Sequence, residues 1–116
     1  MSGVTANKHF DRLRERRDQV VLTLRHLRHE RQEIEQNTDW LDQASQLGRF
    51  QLLDHLSDGY DREILSIDRA LRRTQEHRYG ICPACHGAIA AKRLEASPDA
   101  EYCGECQDLR EKLAEA

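Results

Sequence analysis

The sequence predicts a mainly α protein: a long antiparallel two-helix coiled-coil hairpin attached to a small four-cysteine head with a short C-terminal helix. Three observations predict it. Apolar residues recur at heptad steps over two long stretches, a polar turn separates those stretches, and all four cysteines fall in the last third as two CxxC pairs. The composition agrees. Hydrophobic residues are 38% and charged residues 34% of 116, with two prolines and six glycines, which suits exposed helices better than one large core.

Residues 1–5 read as a frayed start. From Ala6, alternate steps of four and three give Ala6, Phe10, Leu13, Arg17, Val20, Leu24, Leu27, Arg31 and Ile34, seven of nine apolar. Neither glycine nor proline occurs between Val4 and Thr38, so a helix over about 6–36 is expected, roughly 45 Å long at ~1.5 Å per residue. Glu15, Asp18, Glu30, Glu33 and Glu35 interleave with arginines as a solvated face. His26 and His29 have a spacing that could meet a metal, but surface histidines are the better reading.

The seam stops at Gln36-Asn37-Thr38-Asp39-Trp40-Leu41-Asp42, a turn and cap signal that places a tip at about 37–43. A second pattern follows through Phe50, Leu53, Tyr60, Ile64, Ile67, Leu71 and Thr74, with Leu52 and Leu56 widening the stripe. The expected second arm covers about 44–78 and folds back on the first. Gly59 costs about 1 kcal/mol relative to alanine in a helix. The heptad steps stay in phase across it, so continuity is favoured over a break. Residues 1–78 would form the hairpin and 79–116 the head.

In the head, Cys82 pairs with Cys85 and Cys103 with Cys106, and seventeen residues separate the pairs. That spacing is characteristic of a four-cysteine Zn²⁺ site, and zinc takes four tetrahedral thiolates readily. Two disulfides or a redox CxxC are the competing readings. The first 30 residues hold Arg12, Arg14, Arg16 and Arg17 but no apolar run long enough for a signal peptide or membrane span, so a reducing cytoplasm and one structural zinc are expected. Lys92, Arg93 and His86 are candidates to soften the charge of the thiolates. Gln107–Ala114 reads as a short helix packed through Leu109 and Leu113.

Charge narrows the partner. The net charge is -3, and residues 95–116 alone sum to -5. Only Arg72, Arg73 and Arg78 approach a basic cluster, and aromatics are 5%, which argues against specific DNA binding and for a protein partner. A closed four-cysteine site leaves no open position for substrate, so an enzyme is the least expected class. A nucleic-acid-binding module or an interaction adaptor remains the alternative.

The finger, YGIC-PAC-HGAI, then KRLEASP, then a second CxxC followed by Gln107, resembles the zinc-finger signature of the DksA/TraR family of bacterial transcription regulators. Members of the DksA type carry DxxDxA at a coiled-coil tip, and here the turn reads Asp39-Trp40-Leu41-Asp42-Gln43-Ala44. Thirty-nine residues lie between Asp42 and Cys82, which suits a full second arm. A hairpin that satisfies its own seam would be monomeric, although heptad helices can also pair between chains. The resemblance implies that the protein binds RNA polymerase and inserts the hairpin through its secondary channel. It places Asp39, Asp42 and Ala44 at the active tip with Trp40 among them. Trp40 is read equally as a binding anchor or as a staple over the hairpin end, and either aspartate could simply cap the second helix. Two departures from the family pattern are expected. No extra segment precedes the first helix, and the positions at which some relatives use basic residues for guanosine tetraphosphate are Gly59 and Ser66.

Overall fold

The computed structural model describes residues 3–37 and 39–115, with side chains from Asn7 onward. Thr38 of the expected turn, Met1 and Ser2 of the expected frayed start, and the side chain of Ala6 lie outside the described residues. Five helices follow in order: α1 (Gly3–Glu35), α2 (Trp40–Ser45), α3 (Leu47–Gln75), α4 (Ala91–Ala96) and α5 (Gly104–Glu115). The fold is mainly helical, and the described residues contain no strand beyond one isolated antiparallel bridge between Ile81 and Ala88. The chain divides into two compact units, Met1–Glu15 with Ser66–Ala116, and Arg16–Leu65. The cysteine-bearing unit therefore takes in the start of α1 and the end of α3 as well as the finger.

In the Arg16–Leu65 unit, α1 and α3 pack antiparallel along the heptad seam. Val20, Leu24, Ile34 and Leu53 are buried, and Arg17, Leu27 and Arg31 are half-buried. Burying such an aliphatic side chain stabilises by about 1.5–3 kcal/mol. The ion pairs fix direction: early residues of α1 meet late residues of α3. Arg16 meets Glu63 at 2.6 Å, Arg28 meets Asp61 at 2.9 Å, Arg31 meets Asp54 at 2.7 Å, and Glu30 meets Arg49. These exposed pairs set register more than stability. His29 faces solvent and pairs with Glu33 at 3.1 Å, and His26 is also exposed, as the surface reading expects.

The helix α3 runs through Gly59 without interruption. Leu52 and Leu56 do not widen the buried stripe; they are 54% and 38% exposed. The seam position beside them belongs to Ser57, which is buried and satisfies its hydroxyl on the Leu53 carbonyl at 2.7 Å. The second arm also starts differently. A separate α2 precedes α3: Gln46 N–H still donates to Asp42 and Phe50 N–H to Gln46, but the i→i−4 ladder is interrupted at Gln46, the C-cap of α2.

In the other unit, Leu13 of α1 and Ile67 and Ala70 of α3 form one core with Tyr79, Cys82, Ile89 and Leu94. The α3 helix ends at Gln75 rather than near residue 78. Its end is a Schellman arrangement: Arg78 N–H donates to the Arg73 carbonyl and His77 N–H to Thr74, with His77 left-handed at φ 59°. The short α4, with Leu94 buried, lies where no helix was expected from the periodicity. The C-terminal helix begins three residues early, at Gly104, and Leu109 and Leu113 are 60% and 75% exposed. It packs instead through its first turn, at Cys106. Among the described residues, no helix is long and apolar enough to cross a membrane.

Candidate metal centre and hairpin tip

The two cysteine pairs arrive from different local structures. Cys82 and Cys85 sit on a tight knuckle: Cys82 N–H donates to the Gly87 carbonyl at 2.9 Å, and His86 N–H donates back to Cys82 at 2.8 Å. His86 takes φ 61° to close that turn. A Cβ at Gly87 would stand 3.4 Å from the Cys85 sulfur, in van der Waals contact with the ligand. Cys103 and Cys106 flank the start of α5, and Cys106 N–H points at the Cys103 sulfur at 3.5 Å.

All four sulfurs lie within 4.8 Å of one another, the one such group of His, Cys, Asp or Glu among the described residues. Cys85 and Cys103 sulfurs are 3.8 Å apart. A tetrahedron of ~2.3 Å Zn–S bonds requires sulfurs about 3.8 Å apart, so the residues present fit one zinc ion. The cysteines are free, and the 3.8 Å separation is far beyond a disulfide's ~2.05 Å.

The thiols perturb one another. Burial pushes Cys82 up, but hydrogen bonds from the backbone of Cys103, Cys85 and Ala84 outweigh it and bring it down to about 6. Cys106 is pushed up to about 12, first by its sulfur hydrogen bond with Cys103 and then by burial. At Cys85 the Gly87 backbone pulls the thiol down, and contacts with the Cys82 and Cys103 sulfurs reverse this and leave it raised. One sulfur ionises easily and its neighbours resist, a conflict that a bound dication removes. Of the cations considered for softening the site, one is engaged with backbone beside it and two are solvated. Arg93 donates to the Tyr102 carbonyl at 3.0 Å, while Lys92 and His86 are exposed.

The centre shares its core with the hairpin base. Tyr79 is buried, its pKa is raised by burial to about 12, and its hydroxyl donates to the Pro98 carbonyl at 2.8 Å. Arg12 of α1 reaches the Glu95 carbonyl at 2.9 Å. Arg73 is not part of a basic surface: it is buried, 3.8 Å from Glu101, and Arg78 pairs with Glu76. That breaks up the three-arginine cluster on which a nucleic-acid reading would rest.

At the tip, Asp39 is the N-cap of α2; its carboxylate accepts from Leu41 N–H at 3.0 Å. Asp42 lies in the first turn and is exposed, and among the described residues its carboxylate has no hydrogen-bond or ion-pair partner. Ala44 is exposed too, and Trp40 is 71% exposed, so it does not staple the hairpin end. Sequence reasoning missed His9, buried at 2% exposure with its ring tilted against that of Tyr79; it lies one residue before the seam position Phe10 and carries no apolar signal.

Comparison with known proteins places these features. The family model for the prokaryotic dksA/traR C4-type zinc finger matches residues 77–112. The RNA polymerase-binding transcription factor DksA of Escherichia coli K12 is 32% identical over 108 residues, covering 89% of this chain and 70% of that protein. The same figures hold for DksA of Salmonella typhimurium. The structure of transcription factor DksA2 from Pseudomonas aeruginosa matches with a TM-score of 0.88 at 25% identity, over 100% of this chain and 90% of that one. The RNA polymerase binding protein and transcriptional regulator Dks from Chlamydia trachomatis shares the fold, with a TM-score of 0.64 at 21% identity. With its four clustered sulfurs, its helical fold and an alignment of this extent, the chain belongs to the DksA/TraR family of C4-type zinc-finger proteins.

Proposed function

We propose that this protein binds bacterial RNA polymerase through the secondary channel and modulates transcription initiation with its acidic tip. The observation that carries the reading is the Asp42 carboxylate, exposed and without a partner among the described residues, on a helix with no buried residue. Asp39 has a structural duty as a cap, whereas the Asp42 carboxylate has no hydrogen-bond or ion-pair partner among the described residues. Asp42 is therefore the first choice for the acting group, with Asp39, Trp40 and Ala44 as its neighbours in the tip. The names of the relatives, RNA polymerase-binding transcription factors, support the partner. A pre-ordered tip loses little entropy on entering a narrow channel, and its carboxylate can accept charge-assisted hydrogen bonds there. The protein acts in this reading as a monomer in the cytoplasm, without reading DNA sequence itself.

Guanosine tetraphosphate has no charged seat on this chain at Gly59 or Ser66. Ser66 lines a cleft of about 330 Å³ with Arg69, Arg93, Tyr102 and Arg110. Glu101 in the same cleft approaches Arg69 at 3.9 Å and Arg73 at 3.8 Å, which neutralises part of its positive charge. This favours action independent of nucleotide held by the protein's own residues.

The test is in-vitro transcription from a ribosomal RNA promoter with bacterial RNA polymerase, alongside a direct polymerase-binding assay. The wild type is expected to change output, and Asp42→Asn to bind while losing that effect. Absence of wild-type binding would instead favour the adaptor reading.

A further inference from the structure

The six-residue helix α2 has no buried residue, yet three large apolar side chains at the tip face outward. Trp40, Leu41 and Leu47 are 71%, 61% and 54% exposed. Trp40 and Ala44 stand one turn apart on α2 with Leu41 beside them, and Leu47 opens α3 directly after the cap at Gln46, so the large apolar residues crowd one short stretch of the tip. Local polar bonds hold this segment. Asn37 accepts from Asp39 N–H at 3.0 Å, Asp39 caps Leu41, the Gln43 amide reaches the Asn37 carbonyl, and Ser45 Oγ donates to the Asp42 carbonyl at 2.9 Å. The chain thus orders a set of apolar side chains that its own described residues leave mostly uncovered.

The charge around that set selects its occupant. Residues 32–48 contain Glu33, Glu35, Asp39 and Asp42 and no lysine, arginine or histidine. The flanking cations are spent within the hairpin, Arg31 on Asp54 at 2.7 Å and Arg49 on Glu30. A second copy would set these acids against their equivalents. Nucleic acid and anionic lipid would be repelled in the same way. What fits is a protein pocket with an apolar floor and lysine or arginine at its rim.

We infer that the apolar cluster of Trp40, Leu41, Ala44 and Leu47 is the affinity anchor of the tip, seated in such a pocket of its protein partner. The inference rests on the reading that this partner is RNA polymerase. It divides the tip's labour: the apolar cluster holds, and Asp42 acts. Ala44 follows Trp40 by one turn of α2, where a small side chain lets the pocket wall approach the helix. Tryptophan suits the anchor because it offers a large, rigid apolar area at small entropic cost.

The test is equilibrium binding of the full chain to bacterial RNA polymerase, comparing wild type with Trp40→Ser, Trp40→Phe and Leu47→Ser, each checked for unchanged helix content and melting temperature. Trp40→Ser is expected to weaken binding at least ~10-fold and Leu47→Ser about threefold or more, with Trp40→Phe within about threefold of wild type. Wild-type binding with Trp40→Ser binding within about twofold of it overturns the anchor alone and leaves the proposed function standing. Equal losses in the Phe and Ser variants also overturn it, because an apolar ring would then not be what matters. A wild type that does not bind polymerase overturns the proposed function and the anchor with it.

Discussion

The imidazole of His9 packs against the ring of Tyr79, with centroids 5.8 Å apart and planes tilted by 39°. This contact joins the start of α1 to the first residue of the finger segment. Burial holds the His9 pKa below the ordinary 6.5, and the neighbouring charges of Arg12 and Lys8 lower it further. The folded state therefore binds fewer protons than the unfolded one just below pH 6.5. The associated stability is intact above that pH and is lost as pH falls toward the folded pKa. Urea unfolding between pH 7.5 and 5.5, with zinc content verified at each pH, should show stability declining through this window. His9→Gln should flatten the decline, and an unchanged slope would refute the assignment.

Gly59 lies within α3, and a Cβ placed there would meet only the Arg62 guanidinium at 3.9 Å. Gly59→Ala should therefore stabilise by about 1 kcal/mol, with no compensating clash. Denaturant midpoints measured at constant zinc check this. A destabilised variant would mean that α3 is not continuous in solution.

The two tip aspartates should separate in stability as well as in function. Asp39→Ala removes the N-cap of α2 and should cost about 1 kcal/mol of local helix stability. Asp42→Asn removes a carboxylate with no partner among the described residues and should leave stability within about 0.5 kcal/mol. Hydrogen exchange at the amides of residues 41–46 reads the first effect, and thermal unfolding reads the second. Equal effects at both positions would dissolve the distinction between cap and acting group.

Zinc removal should be felt well beyond the four sulfurs. Cys82 is fully buried and belongs to the core that includes Leu13 and Ile67, so a chelator should lower the melting temperature and reduce helix content. Cys82→Ser should be the most damaging of the four single substitutions, and Cys85→Ser, at the exposed side, milder. Far-ultraviolet circular dichroism with and without chelator checks this. An unchanged melt would mean that zinc does not hold the head.

Much of the architecture was legible because a heptad seam needs no tertiary information: every described position from Phe10 to Ile34 in the α1 seam is buried or half-buried. The cysteine spacing likewise carries its own geometry. Leu52 and Leu56 misled because residue type signals burial but not direction, and a serine, Ser57, holds the seam position beside them. The six residues of α4 are too few to show a period, although Ala, Lys, Arg, Leu and Glu are all good helix formers. Leu109 and Leu113 obey helical spacing and still face solvent, because spacing aligns side chains without supplying a surface to cover them. At the tip, the cap at Asp39 was readable from turn chemistry, whereas the exposure of Trp40 was not.

The shared core of Leu13, Ile67, Cys82 and Leu94 also sets a schedule for the growing chain. The opening turns of α1 can meet Ile67 and Ala70 of α3 before the cysteine segment is made, but their core is complete only once Leu94 has emerged. At ~5–20 residues per second, the 81 residues from Leu13 to Leu94 take about 4–16 s to synthesise. The metal waits longer still, since its fourth ligand is Cys106. The core at the base of the hairpin is therefore completed late, and zinc capture follows it.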